Sequence, residues 1–225
     1  VFNSVRRRKM KRHLSLGLSI VGTILGIFGT DLFAQNPGDL DPTFGGGDGI
    51  VNHPVGTAND NARSVKLQTD GKIVVGGTVS LGADQDFVVT RYSSDGSLDT
   101  TFDGDGIVTV SVAAYDSIGR IQIQPDGKIV IAGHTVIPPG NANRFLEVVR
   151  LNSSGSLDTT FDGDGKVSIP CGCTIDSIEI QPDGKILLGG YAIFDGFQAD
   201  SVVYRLNTDG SPDLSFDTDG RSIVN

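Results

Sequence analysis

The chain has 225 residues, of which 31 are Gly and none is Trp. It carries 18 Lys and Arg against 27 Asp and Glu, a formal net charge of −9, and all but two of the acidic residues are Asp. An apolar content of 38% is enough to bury a core, whereas Asp and Gly favour turns, which argues against a mainly helical protein. The acidic charge also argues against a nucleic-acid partner, because phosphate backbones attract Lys and Arg.

The first 34 residues have the pattern of a secretory signal peptide. A basic stretch, residues 6–13, precedes an apolar run at 14–28, and Ala34 supplies a small residue before polar sequence. The run is short for a membrane-spanning helix, which needs about 20 apolar residues, so we prefer a cleaved signal (1–34) to an uncleaved anchor. Met10 is an alternative start. Cleavage would leave 12 basic and 26 acidic residues, a net charge of −14, and no membrane span in the mature chain.

From residue 38 onward the chain repeats one unit. The segment 96–106 recurs without change at 155–165, and looser copies lie at 38–49 and 210–220. Each copy contains a Phe, at spacings of 58, 59 and 55 residues: Phe44, Phe102, Phe161 and Phe216. The repeat domain, 35–225, divides into units of about 38–95, 96–154 and 155–209, with a partial unit, 210–225.

Each unit is predicted to contain four short β-strands. In the second unit these are about 107–112, 118–124, 128–134 and 145–151, which are rich in Ile, Val and Thr. The second and third of these strands are joined by Gln-Pro-Asp-Gly-Lys-Ile, in which Pro fits the first central position of a type I turn and Gly supplies a left-handed residue. The motif predicts a tight hairpin with a Gly bulge in each unit, at Gly71, Gly127 and Gly184.

Four-stranded units at this spacing are typical of the blades of a β-propeller, with a β-solenoid as the alternative. The combination of Gln-Pro-Asp-Gly-Lys-Ile, a following Arg, and Asp-Gly-Ser-Leu-Asp-Thr-Thr-Phe with Gly-Asp-Gly resembles the bacterial delta-60 repeat over about residues 38–225. The resemblance implies one blade per repeat and an extracellular setting, and it implies no activity. We predict an all-β, propeller-like array of about three blades plus a partial fourth. Self-association or additional repeats would then close a ring.

The Asp-Gly loops are the first candidate site. Several carboxylates on a Gly-rich loop can surround Ca²⁺, although the spacing does not match an EF-hand, which needs a Glu at its twelfth position. The alternative, which we prefer, is that Asp side chains bond nearby backbone N–H groups in Asx-turns. No other cofactor is indicated. The candidate calcium ligands are Asp99, Asp103, Asp105, Asp158, Asp162 and Asp164.

An Arg stands at the end of the third apolar strand of each full unit. The three are Arg91, Arg150 and Arg205. A buried Arg normally needs an acidic partner, so we predict that each pairs with an Asp of its own or a neighbouring unit rather than binding an anion. The repeated Phe residues are predicted to pack as wedges between units.

The remaining chemistry-bearing residues break the repeat. Cys171 and Cys173 occur once, and residues two apart in a strand lie about 6.6 Å from each other, near the upper limit for a disulfide; a strained disulfide and two free thiols both stay open. A zinc site is disfavoured, because it needs four ligands, or three with an open position. His134 ends a strand and has no partner of a defined role, so no catalytic residue is assigned.

These observations predict a protein that is secreted, periplasmic or on the bacterial cell surface. Its role would be binding or structural rather than catalytic, with calcium as a candidate stabilising ion. The variable loops at 80–84, 137–143 and 192–198 would present a surface to a protein or glycan ligand. The alternative is a hydrolase that uses carboxylates near the channel of a propeller. An enzyme predicts polar residues that break the repeat and converge in one pocket, whereas a scaffold predicts symmetric loops.

Overall fold

The computed structural model describes residues 37–57, 59–82, 84–112, 115–137, 144–192 and 199–224. The predicted signal peptide lies outside the described residues, and residues Gly38–Asn225 form one compact unit. The described residues contain no helix with the length and apolar character needed to cross a membrane. The strands are β1 (Asn61–Leu67), β2 (Ile73–Leu81), β3 (Asp84–Tyr92), β4 (Ile107–Val110), β5 (Asp116–Ile123), β6 (Ile129–Val136), β7 (Arg144–Leu151), β8 (Lys166–Pro170), β9 (Cys173–Ile180), β10 (Ile186–Ala192), β11 (Asp200–Leu206) and β12 (Arg221–Val224).

The strands form three four-stranded antiparallel sheets in chain order. Sheet 1 contains β1–β4, sheet 2 contains β5–β8 and sheet 3 contains β9–β12. The prediction of an all-β array of four-stranded blades is therefore confirmed. The boundaries of the sheets are shifted by one strand from those of the sequence units. The first strand of the second unit, β4, pairs with β3 and therefore belongs to sheet 1, so sheet 2 begins with the second strand of that unit. Backbone bonding around the preceding turn, from Arg91 N to Gly106 O at 2.9 Å, brings that strand back beside β3.

The hairpin between the first two strands of each sheet has the predicted turn. Gly127 N donates to Gln124 O at 2.9 Å, and Gln124 N donates to Lys128 O at 2.8 Å. Gly127 has a φ of 84°, and Gly71 and Gly184 have φ values of 85° and 84°. A side chain is costly in this left-handed conformation, so Gly is needed at the position in all three sheets.

Hydrophobic side chains join each sheet to the next. One cluster lies between sheets 1 and 2, and a second lies between sheets 2 and 3. Burial of each large apolar side chain contributes about 1.5–3 kcal/mol, so these two interfaces hold the array together. The first cluster includes Val74, Phe87 and Val89 of sheet 1 and Ile121, Ile131 and Val149 of sheet 2.

The two interfaces join equivalent faces of the sheets. We call the face turned toward the preceding sheet the N-side face; in sheet 2 it carries Ile121, Ile131 and Val149. We call the opposite face the C-side face; in sheet 1 it carries Phe87 and Val89. Each interface therefore joins the C-side face of one sheet to the N-side face of the next.

Candidate functional site

A cluster of charged and aromatic side chains, the corner cluster, lies where the third strand of each sheet ends. In sheet 2, Arg150 Nε donates to Asp158 Oδ2 at 2.6 Å, and Arg150 Nη2 donates to Thr160 Oγ1 at 3.1 Å. The guanidinium carbon lies 4.5 Å from the centroid of the Phe161 ring, within the range of a cation–π contact. Lys128 Nζ, from the hairpin motif, lies 2.9 Å from the same Asp158 oxygen.

The same cluster is built in all three sheets. In sheet 1 it consists of Lys72, Arg91, Asp99, Thr101 and Phe102, and in sheet 3 of Lys185, Arg205, Asp213, Ser215 and Phe216. Two of the Arg side chains also reach the following sheet. Arg91 Nη1 donates to Ser153 O at 2.6 Å, and Arg150 Nη1 donates to Thr208 O at 2.5 Å. The corner clusters thus fix each sheet internally, and those of sheets 1 and 2 also tie their sheet to the following one.

The electrostatics of the clusters keep the carboxylates ionised. Burial acts to raise the pKa of Asp158, but the bonds from Thr160, Lys128 and Arg150 outweigh it and hold the pKa well below its usual range. The pKa of Asp99 is lowered in the same way, against burial, by equivalent bonds and by the Arg91 charge. Each carboxylate is compensated by an Arg and a Lys, which makes it part of the frame.

The other Asp residues of the repeated loop have different roles. Asp103 and Asp162 adopt left-handed φ values of 52° and 51°, a conformation that Asp tolerates better than most residues. Their N–H groups donate at 2.8 Å to Ser154 O and Asp209 O of the following sheet. The Oδ1 atoms of Asp105 and Asp164 each accept the backbone N–H two residues later, at 2.8 Å. The bonds of Asp105 and Asp164 are those of the Asx-turn interpretation.

Calcium binding at these loops stays a prediction. The Oδ2 atoms of Asp99 and Asp158 already bond cationic side chains, and their Oδ1 atoms accept bonds from Thr101 and Thr160. In the part of the chain that the structure describes, no group of three or more His, Cys, Asp or Glu residues is arranged to hold a metal ion. We expect the thermal unfolding midpoint, followed by circular dichroism, to be the same in millimolar CaCl₂ as in EGTA. A rise with calcium that magnesium does not reproduce would instead support the calcium interpretation.

Cys171 and Cys173 form a disulfide whose Cα atoms are 5.0 Å apart. Gly172, at a φ of 58°, turns the chain between them, so the two Cα atoms come closer than the strand spacing of about 6.6 Å. Both Cys residues are buried. Of the two alternatives that the sequence leaves open, the structure contains the disulfide.

The disulfide closes a turn that the other repeats close with a carboxylate. Counting back eight residues from the Gln of the hairpin motif gives Cys173 in the third repeat, and Asp60 and Asp116 in the others. Asp60 Oδ2 accepts the N–H groups of Val55 and Gly56 at 2.9 and 2.8 Å. Asp116 Oδ2 accepts the Val112 N–H at 2.8 Å. The cysteines are therefore a structural variation of the repeat.

Glu147 is a buried carboxyl group that sequence reasoning missed. Its side chain is only 1% exposed; Ser168 Oγ donates to its Oε1 at 2.8 Å, whereas Oε2 has no hydrogen-bond partner among the described residues. Burial raises the pKa of Glu147 to about 7, with the bond from Ser168 opposing the change and the negative charge of Asp116 adding to it. A signal existed in the sequence, since Val88 and Val202 occupy the corresponding positions in β3 and β11.

His134 is half-buried within β6, which continues two residues beyond it to Val136, so the prediction that His134 ends the strand is wrong. Burial and the nearby charge of Arg144 lower its pKa, with Asp176 opposing them. A neutral imidazole follows near neutral pH. The lowered pKa therefore favours the neutral imidazole over a charged one that would attract an anion.

A groove of about 600 Å³ lies on the N-side face of sheet 1. Its floor includes Val65, Val75 and Val88 of the sheet, and its wall includes Phe44 and Val51 of the segment before β1. The lining is mostly apolar, so the groove suits a hydrophobic surface rather than a polar substrate. The sequence did not indicate this groove. The same apolar pattern occurs in sheets 2 and 3, where it is covered by the preceding sheet, so the pattern alone does not show that the face of sheet 1 is open.

Three antiparallel four-stranded sheets that share one hairpin and one corner cluster define a β-propeller-type repeat protein. Residues 68–102, 124–161 and 181–216 match the family described as "Domain of unknown function (DUF5122) beta-propeller". Each matched segment begins at the Gln of the hairpin motif and ends at the Phe of the corner cluster. No curated protein matches the chain.

Proposed function

We propose that the chain is a secreted or surface repeat protein of the delta-60 type, with a binding or structural role and no catalytic one. The observation that supports this is the corner cluster. In all three sheets its Asp and Arg side chains are bonded to their own or the neighbouring sheet. Charged groups that are committed in this way stabilise a frame and are not available for proton transfer to a substrate.

The position of the most perturbed carboxyl group also favours a scaffold over a hydrolase. Glu147 has the raised pKa that a general acid requires, and it interacts with the negative charge of Asp116. However, both residues are buried, and Val148 and Val149 beside Glu147 belong to the clusters that join the sheets. A substrate would have to enter between packed sheets to reach them.

Binding would then fall to the surface and the variable loops. Most of 137–143 and 192–198 lies outside the described residues, and these segments differ in sequence between repeats, as binding loops on a repeated frame do. The predicted mature chain has a net charge of −14, which favours a neutral glycan or a basic protein surface over an anionic polymer.

A glycan array tests the proposal. The chain secreted from a bacterial host should begin at Gln35 and should retain one or more neutral glycans. Replacement of residues 193–198 by Gly and Ser should abolish that retention, whereas Thr100→Ser, at an exposed position of the repeated frame, should leave it unchanged. Saturable hydrolysis of chromogenic glycosides, lost in Glu147→Gln, would contradict the proposal and establish the hydrolase alternative.

A further inference from the structure

The N-side face of sheet 1 is an exposed copy of a face that is buried elsewhere in the protein. Val65 is 64% exposed, whereas its counterparts Ile121 in sheet 2 and Ile178 in sheet 3 are 0% and 5% exposed. Val75 contributes to the groove on this face, whereas Ile131 at the same position of sheet 2 is fully buried. The face has the apolar pattern of an interface, and among the described residues no preceding sheet covers it.

The C-side face of sheet 3, which would pack against an N-side face, is also exposed. Val203 is 36% exposed, although its counterparts Val89 and Val148 are fully buried, and Val224 is 67% exposed where Val110 is 5%. The Arg205 side chain is also 20% exposed, against 6% for that of Arg91. The last sheet therefore presents the half of the interface that sheet 1 lacks.

We infer that a second copy of this chain docks head to tail, with the N-side face of its sheet 1 on the C-side face of sheet 3 of the first copy. The protein already makes this contact twice within one chain, between sheets 1 and 2 and between sheets 2 and 3. Such a contact is heterologous, and it closes into a ring when the rotation allows. The described residues of two copies form six four-stranded sheets, a number within the range of closed propellers.

One segment of the chain already occupies the corner of this surface. Gly45 N donates to Asp95 O at 2.9 Å, as Asp103 N donates to Ser154 O at 2.8 Å in the interface between sheets 1 and 2. Phe44 therefore stands on sheet 1 where Phe102 stands on sheet 2. Docking of a second copy would place the corner cluster of its sheet 3 at this same position.

The two competing corners are anchored differently. Asp41, before Phe44, accepts bonds from Thr43, and no ion pair to Asp41 is present among the described residues. Asp213, before Phe216, is held by Arg205 at 2.6 Å and Lys185 at 2.8 Å. We therefore expect the segment around Phe44 to leave the corner and Phe216 of the docking copy to replace it.

Sedimentation velocity of the full chain over a range of concentrations tests the docking. The wild-type chain should form a dimer, and Val65→Asp and Val203→Asp should each weaken self-association at least about tenfold, because each buries a charge in the contact. Leu214→Asp is the matched control: Leu214 is exposed and its counterparts Thr100 and Thr159 stay exposed in packed sheets. All variants share residues 1–37, so any association through that segment is common to all of them.

Mixing the variants gives a result that only head-to-tail docking produces. Val65→Asp keeps an intact C-side face and Val203→Asp keeps an intact N-side face, so an equimolar mixture should form a one-to-one dimer although each variant alone is monomeric. Phe44→Ala should tighten wild-type association, because it loosens the competing corner. A monomeric wild-type chain, a mixture that stays monomeric, or equal effects of Val65→Asp and Leu214→Asp would each overturn the inference.

Discussion

Arg150→Met is expected to lower the free energy of unfolding by about 3 kcal/mol, because it leaves the buried Asp158 with only one of its two cationic partners. The variant also loses the bond from Arg150 Nη1 to Thr208 O, which ties sheet 2 to sheet 3. Urea unfolding near neutral pH measures the change. At this chain length the midpoint of thermal unfolding should fall by several degrees, at about 2–4 °C per kcal/mol.

Arg120→Met is the matched control for this experiment. Arg120 is exposed, and its Nη1 donates to the neighbouring Gly119 O, so its replacement should change stability by less than about 0.5 kcal/mol. The double variant Arg150→Met/Asp158→Leu should recover much of the loss, since a buried ion pair costs more to break than to replace with apolar groups. Equal unfolding midpoints for Arg150→Met and Arg120→Met would show that the corner cluster does not stabilise the fold.

Glu147→Val is expected to raise the free energy of unfolding by about 2 kcal/mol above pH 7, where the wild-type carboxyl is charged in a buried site. Val occupies the same position in β3 and β11, at Val88 and Val202, so the side chain fits the repeat. Ser168 loses its acceptor but is exposed and can bond water. Urea unfolding at a series of pH values measures the effect.

The pH dependence has a defined sign. The pKa of Glu147 is raised from 4.5 to about 7 in the folded protein, so the folded state binds more protons than the unfolded state between these values. The stabilisation is complete below pH 4.5 and is lost as the pH rises through about 7. Glu147→Val should remove this dependence, whereas Glu179→Gln, at an exposed Glu, should retain it. If the free energy of unfolding changed with pH in the same way in the wild type and in both variants across this window, the assignment would be contradicted.

The lowered pKa values of Asp99 and Asp158 act at the acid end. Their stabilisation is present above the ordinary pKa of 3.8 and is lost as the pH falls through the lower folded-state value. Glu147 therefore makes the folded state less stable as the pH rises toward 7, whereas the corner clusters make it less stable as the pH falls below 3.8. Because the pH ranges differ, one series of unfolding measurements against pH separates the two contributions.

Local rules predicted the repeated elements well. The Pro-Asp-Gly turn at Gly127 depends on φ preferences of a few adjacent residues, and the structure contains it as predicted. The β6 strand, an unbroken apolar run, is buried along Ile129–Gly133. The boundary between sheets was harder, because β4 follows the corner in sequence yet hydrogen-bonds to the strand before it.

The partners of the charged residues were predicted less completely. The spacing of Arg91 and Asp99 suggested a pair, but the third member, Lys72, lies in the hairpin motif 27 residues before the Asp. Only the pairing of β2 with β3 places that Lys beside the corner. The role of Asp103, which presents its N–H to the next sheet, likewise depends on how sheets stack.

The sequence by itself determined the number of repeats, the all-β class and the turns, because these follow from periodicity and from the conformational preferences of Gly, Pro and Asp. Only the tertiary structure decided which faces are covered. Val65 and Ile121 occupy the same place in the repeat, yet one is exposed and the other is buried, because burial depends on whether a neighbouring sheet is present. Glu147 shows the same dependence, since its pKa is set by burial and by Ser168 and Asp116 on other strands, and not by its own strand.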